Sequence, residues 1–133
     1  MGLISGKDLI AYDMDLGRAE GEESKIQARF IHGTSFTMTF WSFRPGAVIP
    51  EHKHEHETLT TVLSGALRLT VDGHTMILRA GDSGLVPSWA VHDAEVLEES
   101  EIIDVYTPVR EDYVARQQGK NETYLQTSQK QAE

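Results

Sequence analysis

The chain has 133 residues, 39% of them apolar, and a formal net charge of −9 at pH 7. That length suits one domain with a real core and is too short for two; no run approaches the ~18 apolar residues of a membrane span, and the N-terminus lacks the basic, apolar and small-residue succession of a signal peptide. The acidic balance argues against a nucleic-acid partner, and the absence of cysteine excludes disulfides, thiolate chemistry and cysteine-held metal, so a soluble cytoplasmic protein is expected.

The first 20 residues are weakly patterned, with Leu9-Ile10 as a candidate edge strand. Lys25 to Ile31 predicts a strand closed by Gly33. From Ser35 to Phe43, Phe36, Met38 and Phe40 alternate with Thr37, Thr39 and Trp41, the period of two that a strand requires. Pro45-Gly46 is a turn, Thr58 to Leu63 a strand, and Ser64-Gly65 turns the chain into Leu67 to Val71. Asp72-Gly73 before His74 to Leu78 is a two-residue hairpin signal. Gly81-Asp82 turns into a short strand, Leu85-Val86, that ends at Pro87; Val91 to Leu97 and Glu101 to Thr107 complete the strands. Turn signals about every 8–12 residues predict an all-β sandwich or barrel. Glu111 to Gln118 reads as a helix, acidic in its first turn and stopped by Gly119, and the polar last dozen residues are expected to fray.

His52, His54 and His56 stand at alternate positions, and alternate side chains of an extended chain share a face. Imidazoles gathered in that way suit zinc, nickel, copper or iron. A solvated loop would account for the same stretch, because Glu51, Lys53, Glu55 and Glu57 interleave with the histidines. His92, beyond Pro87 and near the start of another predicted strand, shifts the balance toward metal. In an up-and-down or jelly-roll arrangement its strand can lie beside the first cluster and close the site, leaving one or two positions for water or substrate.

Asp104 interrupts the apolar strand Ile102 to Tyr106, and an unpaired buried carboxylate is costly. It serves either as an acceptor fixing a ligand histidine's tautomer or as a general acid–base moved toward neutrality by burial. Ile102, Asp104 and Tyr106 share a face, so Asp104 and Tyr106 project together if that face is the inner one. Arg110 opens the predicted helix, where the dipole disfavours a cation. Either its planar fork turns back to hold a substrate carboxylate, or it is a surface arginine paired with Glu111 or Asp112.

The stretch Gly46-x5-His52-x-His54-x3-Thr58-x6-Gly65 resembles the first cupin motif except at its acidic position, and Gly81-Asp82-x4-Pro87-x4-His92 resembles the second. Pro45 to Tyr113, 69 of the 133 residues, looks like a small single-domain cupin. More narrowly it resembles the bacterial pectin-degradation cupins, whose His-x-His-x-His-Glu-Gln and Asp-x-Phe-x-Pro-x-Arg correspond to His52-Lys-His54-Glu-His56-Glu57-Thr58 and Asp104-Val-Tyr106-Thr-Pro108-Val-Arg110. The resemblance implies a cupin-type jelly-roll barrel with a short C-terminal helix, one domain over 1–133 with its barrel core about 25–108 and the helix about 111–118. It implies one divalent metal ion (zinc, nickel, iron or manganese) on His52, His54 and His92. It also implies catalysis by Asp104, Tyr106 and Arg110 on a small anionic sugar, the ring opening of 4,5-unsaturated uronates.

Two departures from that pattern matter. Thr58 stands where these cupins carry glutamine and most cupins glutamate, leaving either a three-histidine site with an extra open position or His56 as substitute, since 52, 54, 56 and 58 share a face on an unbroken strand. Tyr106 replaces phenylalanine and adds a hydroxyl. Other expectations are a three-histidine iron dioxygenase, a polyketide cyclase-like cupin, and a non-enzymatic sugar- or metal-binding module. A homodimer is expected from exposed strand edges and from the apolar residues on both faces of Phe36 to Phe43; a monomer with Trp41 and Phe43 on the C-terminal helix explains the same pattern.

Overall fold

The computed structural model describes residues 2–15 and 19–118. The predicted stop at Gly119 and the polar tail lie outside them. Among the described residues a 3-10 turn (Gly6–Asp8) precedes ten strands: β1 (Tyr12–Asp13), β2 (Ile26–His32), β3 (Thr37–Phe43), β4 (Val48–His52), β5 (Glu57–Ser64), β6 (Ala66–Val71), β7 (His74–Arg79), β8 (Ser83–Val86), β9 (His92–Val96) and β10 (Ser100–Thr107). Helix α1 (Glu111–Gln117) follows. No helix among the described residues is long and apolar enough to cross a membrane.

The strands form two antiparallel sheets, one of six in the order β1-β2-β3-β10-β5-β8 and one of four in the order β4-β9-β6-β7. Their apolar inner faces, with Phe30, Trp41, Val62, Leu69, Val86, Val96 and Ile102 buried, make one core, which is the jelly-roll expectation realised. Asp72 and Gly73 both take positive φ, 49° and 83°, as the two-residue hairpin between β6 and β7 requires. Gly65, at φ 96°, carries the chain from β5 to β6 against Ser100, where a Cβ would collide with Ser100 Oγ and the Glu99 carbonyl.

Two local results differ from expectation, and a third decides which face of β3 is the inner one. The edge strand is Tyr12–Asp13 rather than Leu9-Ile10. The Tyr12 ring stacks on Phe30 at 5.7 Å and lies under the Arg116 guanidinium at 4.8 Å, while Ile10 stays 66% exposed, so aromatic burial decides which residues pair. On β3 the inner face is that of Thr37, Thr39, Trp41 and Phe43, while Met38 and Phe40 face outward. Thr37 is tolerated there because its hydroxyl contacts His32 Nδ1 at 2.8 Å and accepts the Arg110 backbone N–H at 2.9 Å. Finally, the histidine stretch is not one strand: β4 ends at His52, 53–56 is loop, and β5 begins at Glu57.

Candidate metal centre and its cavity

That break in the chain builds the site. His52, the last residue of β4, lies directly across from His92, the first of β9. Their ring centroids are 4.1 Å apart. His54 reaches the same point from the loop, its centroid 5.4 Å from His52 and 4.9 Å from His92. The loop is pinned by the Trp89 N–H, which donates to the His54 carbonyl at 2.8 Å, and by Ser88 Oγ, which donates to the Glu55 carbonyl at 2.5 Å. One nitrogen from each of His52, His54 and His92 lies within 4.8 Å of the other two.

The hydrogen bonds settle which nitrogens are free. Nδ1 of His52 faces the Pro50 carbonyl at 2.8 Å, Nδ1 of His54 the His56 carbonyl at 3.1 Å, and Nδ1 of His92 the Ala90 carbonyl at 2.9 Å. A carbonyl only accepts, so each Nδ1 carries the hydrogen and each Nε2 is left with its lone pair. Burial, opposed by the Pro50 bond, lowers the pKa of His52 to about 4; burial and then the Arg110 cation lower that of His54 to about 3. Both rings are therefore neutral at pH 7. Three fixed, convergent imidazoles fit a divalent transition metal, and the backbone carbonyls do the orienting that such ligands require.

Because the strand breaks, 52, 54, 56 and 58 do not share one face. The His56 ring, 5.3 Å from His54, stands outside the convergent group, edge-on to the Tyr106 ring at 6.2 Å. Thr58 is back on a strand, 3% exposed, with Oγ1 buried and without a protein partner.

The histidines form one wall of a cavity of about 480 Å³ between the sheets, whose lining includes Thr58, Thr60, Asp104, Tyr106, Arg110 and Tyr113. Asp104, on β10 between Thr39 of β3 and Thr60 of β5, turns its carboxyl inward. Its Oδ2 accepts Trp41 Nε1–H at 2.9 Å and the Tyr106 hydroxyl at 3.0 Å; Oδ1 is buried and unpartnered. Burial raises the Asp104 pKa, opposed by the neighbouring Thr60 hydroxyl and by the Tyr106 and Trp41 donors. Burial, then the Asp104 charge, also raises that of Tyr106, so its hydroxyl remains a donor at neutral pH.

Arg110 combines features of both sequence readings. It pairs with Asp112, Nε to Oδ1 at 2.9 Å and Nη2 to Oδ2 at 2.7 Å, yet it is only 3% exposed. The guanidinium lies 3.9 Å from the Tyr113 ring centroid and 4.7 Å from that of Tyr106, which binds the start of α1 to the barrel. For Asp112, burial acts upward, but the Arg110 bond and charge outweigh it and hold the carboxyl below its ordinary range.

The six candidate residues thus face one cavity. Trp41 and Tyr113 were not anticipated there: the period-two pattern puts Trp41 on one face of β3, but nothing in the sequence shows that β3 lies beside β10.

Two antiparallel sheets with a three-histidine cluster between them define a cupin-type barrel with a candidate metal site. Residues 39–106 match the family described as Cupin domain (Cupin_2), and the chain belongs to that family. It is similar to the pectin degradation protein KdgF of Dickeya dadantii (strain 3937), 32% identical over 74 residues that make up 54% of this chain and 67% of that protein. Among solved structures it is similar to KdgF from Halomonas sp., with 32% identity, a TM-score of 0.65 and coverage of 67% of this chain and 84% of that one. An RmlC-like cupin from Shewanella frigidimarina NCIMB 400 shares the fold, with 24% identity, a TM-score of 0.74 and coverage of 85% and 96%.

Proposed function

We propose that this cupin is a metal-dependent isomerase that opens 4,5-unsaturated uronates to the linear keto-aldehyde. The observation that carries the reading is the pairing, in one cavity, of three convergent imidazoles with a buried carboxyl of raised pKa. The similarity to a pectin degradation protein supports the substrate class. His52, His54 and His92 would hold the metal, which when bound supplies Lewis-acid polarisation of a substrate oxygen.

The chain's own groups account for the proton traffic. The C1 hydroxyl gives up its proton as the C1–O5 bond breaks and C1 becomes an aldehyde. The ring oxygen departs as the C5 enolate, which becomes the ketone as C4 takes a proton. One proton leaves oxygen and one reaches carbon, so the product is an isomer and no oxidant is consumed. Asp104 carries that proton, Tyr106 donates to its carboxyl, and the buried Arg110 cation provides a local positive charge for the substrate carboxylate. A local cation is needed because the net charge of −9 offers an anion no long-range attraction.

The test is the ultraviolet absorbance of 4,5-unsaturated galacturonate on incubation with the protein. Decay faster than the spontaneous reaction, abolished by chelator and restored by added divalent metal, is expected. No acceleration by metal-replete protein sinks the proposal, and oxygen uptake by the iron-loaded form would favour the dioxygenase reading instead.

The outward face of the six-stranded sheet supports a homodimer. Ile31, Met38, Val105, Leu59 and Leu85 stand opposite one another across five neighbouring strands, an uncharged apolar row. At about 4.8 Å per strand the row runs roughly 19 Å, and the half-exposed Leu59, Leu63 and Leu85 widen it. An isologous pair would bury the same face twice while leaving the acidic surface in water. Sedimentation should give twice the chain mass, and Leu59→Glu should give the monomer; a native monomer at micromolar concentration would remove the dimer from the reading.

A further inference from the structure

We propose that Trp41 is a positioning residue: with Tyr106 it clamps Oδ2 of Asp104 and so makes Oδ1 the one oxygen that exchanges a proton with substrate. The inference rests on the reading of Asp104 as the proton carrier.

Oδ2 accepts two hydrogen bonds, from Trp41 Nε1 at 2.9 Å and from the Tyr106 hydroxyl at 3.0 Å. Two donors occupy both lone pairs of that oxygen. A carboxyl proton is therefore excluded from Oδ2 and belongs on Oδ1, which is buried without a partner in a residue that lines the cavity. The indole has no acceptor role, so it enforces this polarity in a way that a hydroxyl, able to donate or accept, does not.

The ring cannot easily turn away. It is 8% exposed, stacks on Phe43 with centroids 5.4 Å apart and planes 9° apart, and meets Tyr113 edge-on at 6.2 Å. Its backbone lies across from Ile102, two residues before Asp104 on the neighbouring strand. An indole N–H held in that way keeps the carboxyl at one orientation whether or not it is protonated, which is what a group that must both take and return a proton needs.

Trp41→Phe keeps an aromatic ring on Phe43 and removes the donor. The expected result is unchanged metal content, a kcat about tenfold to a hundredfold lower, as for loss of one charge-assisted hydrogen bond, and a KM within about twofold. In an Asp104→Asn background the same substitution should cost nothing further, whereas a purely structural role would give effects that multiply. The chain has two tryptophans, which gives a readout independent of turnover. In amide-detected NMR of the native protein the Trp41 indole N–H should exchange slowly, and Asp104→Leu should shift its resonance and speed its exchange. Trp89, 60% exposed, is the fast-exchanging control. A Trp41 signal that exchanges as fast as that of Trp89, or multiplicative kinetic effects, would overturn the clamp. If no uronate is turned over, the ring-opening reading fails by itself while the indole measurement still decides the clamp.

Discussion

His92→Ala is expected to remove metal and turnover together. His92 is 8% exposed and is the candidate ligand on β9, with its ring held by the Ala90 carbonyl. Without it, two imidazoles remain, one on a strand end and one in a loop, too few for a catalytic site that ordinarily uses three protein ligands. Bound metal should fall from one ion per chain to below about a tenth, and turnover by at least about a thousandfold, the several kcal/mol that a Lewis acid contributes. The fold should persist, because β9 pairs through its backbone with both β4 and β6 and buries Ala94 and Val96. Elemental analysis, circular dichroism and the absorbance assay on one preparation check all three. Retained activity in a folded, metal-free variant would show that the three-histidine centre is not catalytic.

Asp104→Asn is expected to leave metal and fold intact while turnover falls by about a hundredfold to ten-thousandfold, the usual range for a general acid–base. In the proposed reaction the form that accepts the substrate's proton is the carboxylate. The rate should therefore fall as pH drops through the pKa of Asp104, which burial raises above the ordinary 3.8. Native kcat against pH should show this acid limb, and the variant's residual rate should lack it.

Stability should move the other way. A carboxyl whose pKa is raised on folding holds its proton more tightly folded than unfolded, so stability is lost as pH rises from the unfolded pKa through the folded one. The neutral amide escapes that cost, and Asp104→Asn should be at least as stable as the native protein at pH 7 in urea titrations. Activity and stability parting in this way would mark a group retained for chemistry. A variant that lost both equally would instead make Asp104 a structural residue.

The all-β class, most strand positions and the hairpin at Asp72-Gly73 were legible because period two and turn chemistry are local properties: each depends on a side chain and its immediate neighbours; β4, Val48–His52, and the edge strand Tyr12–Asp13 were not. The three candidate ligands were legible for a related reason. Histidines in an acidic loop and again after Pro87 have few other uses, and the two cupin motifs state their spacing. The six-residue candidate set was named in full from sequence, and all six line the cavity.

Partners across strands were not legible. The sequence places Trp41 and Asp104 63 residues apart, and only the register of β3 on β10 brings indole to carboxylate. Arg110 left two readings open because whether an arginine is buried depends on the Tyr106 and Tyr113 rings around it. His56 stayed open as a substitute for the ligand missing at Thr58 because an unbroken strand would put 52, 54, 56 and 58 on one face; that premise was wrong, since the chain breaks between β4 and β5 and the loop is held by Ser88 and Trp89 from elsewhere in the chain. Local patterning was enough for the fold class, most of the strands and the candidate residues. The tertiary structure alone decided which nitrogens are free, which carboxylate oxygen is bare and which face of the sheet is left apolar, because each of those depends on contacts between residues that are remote in the chain.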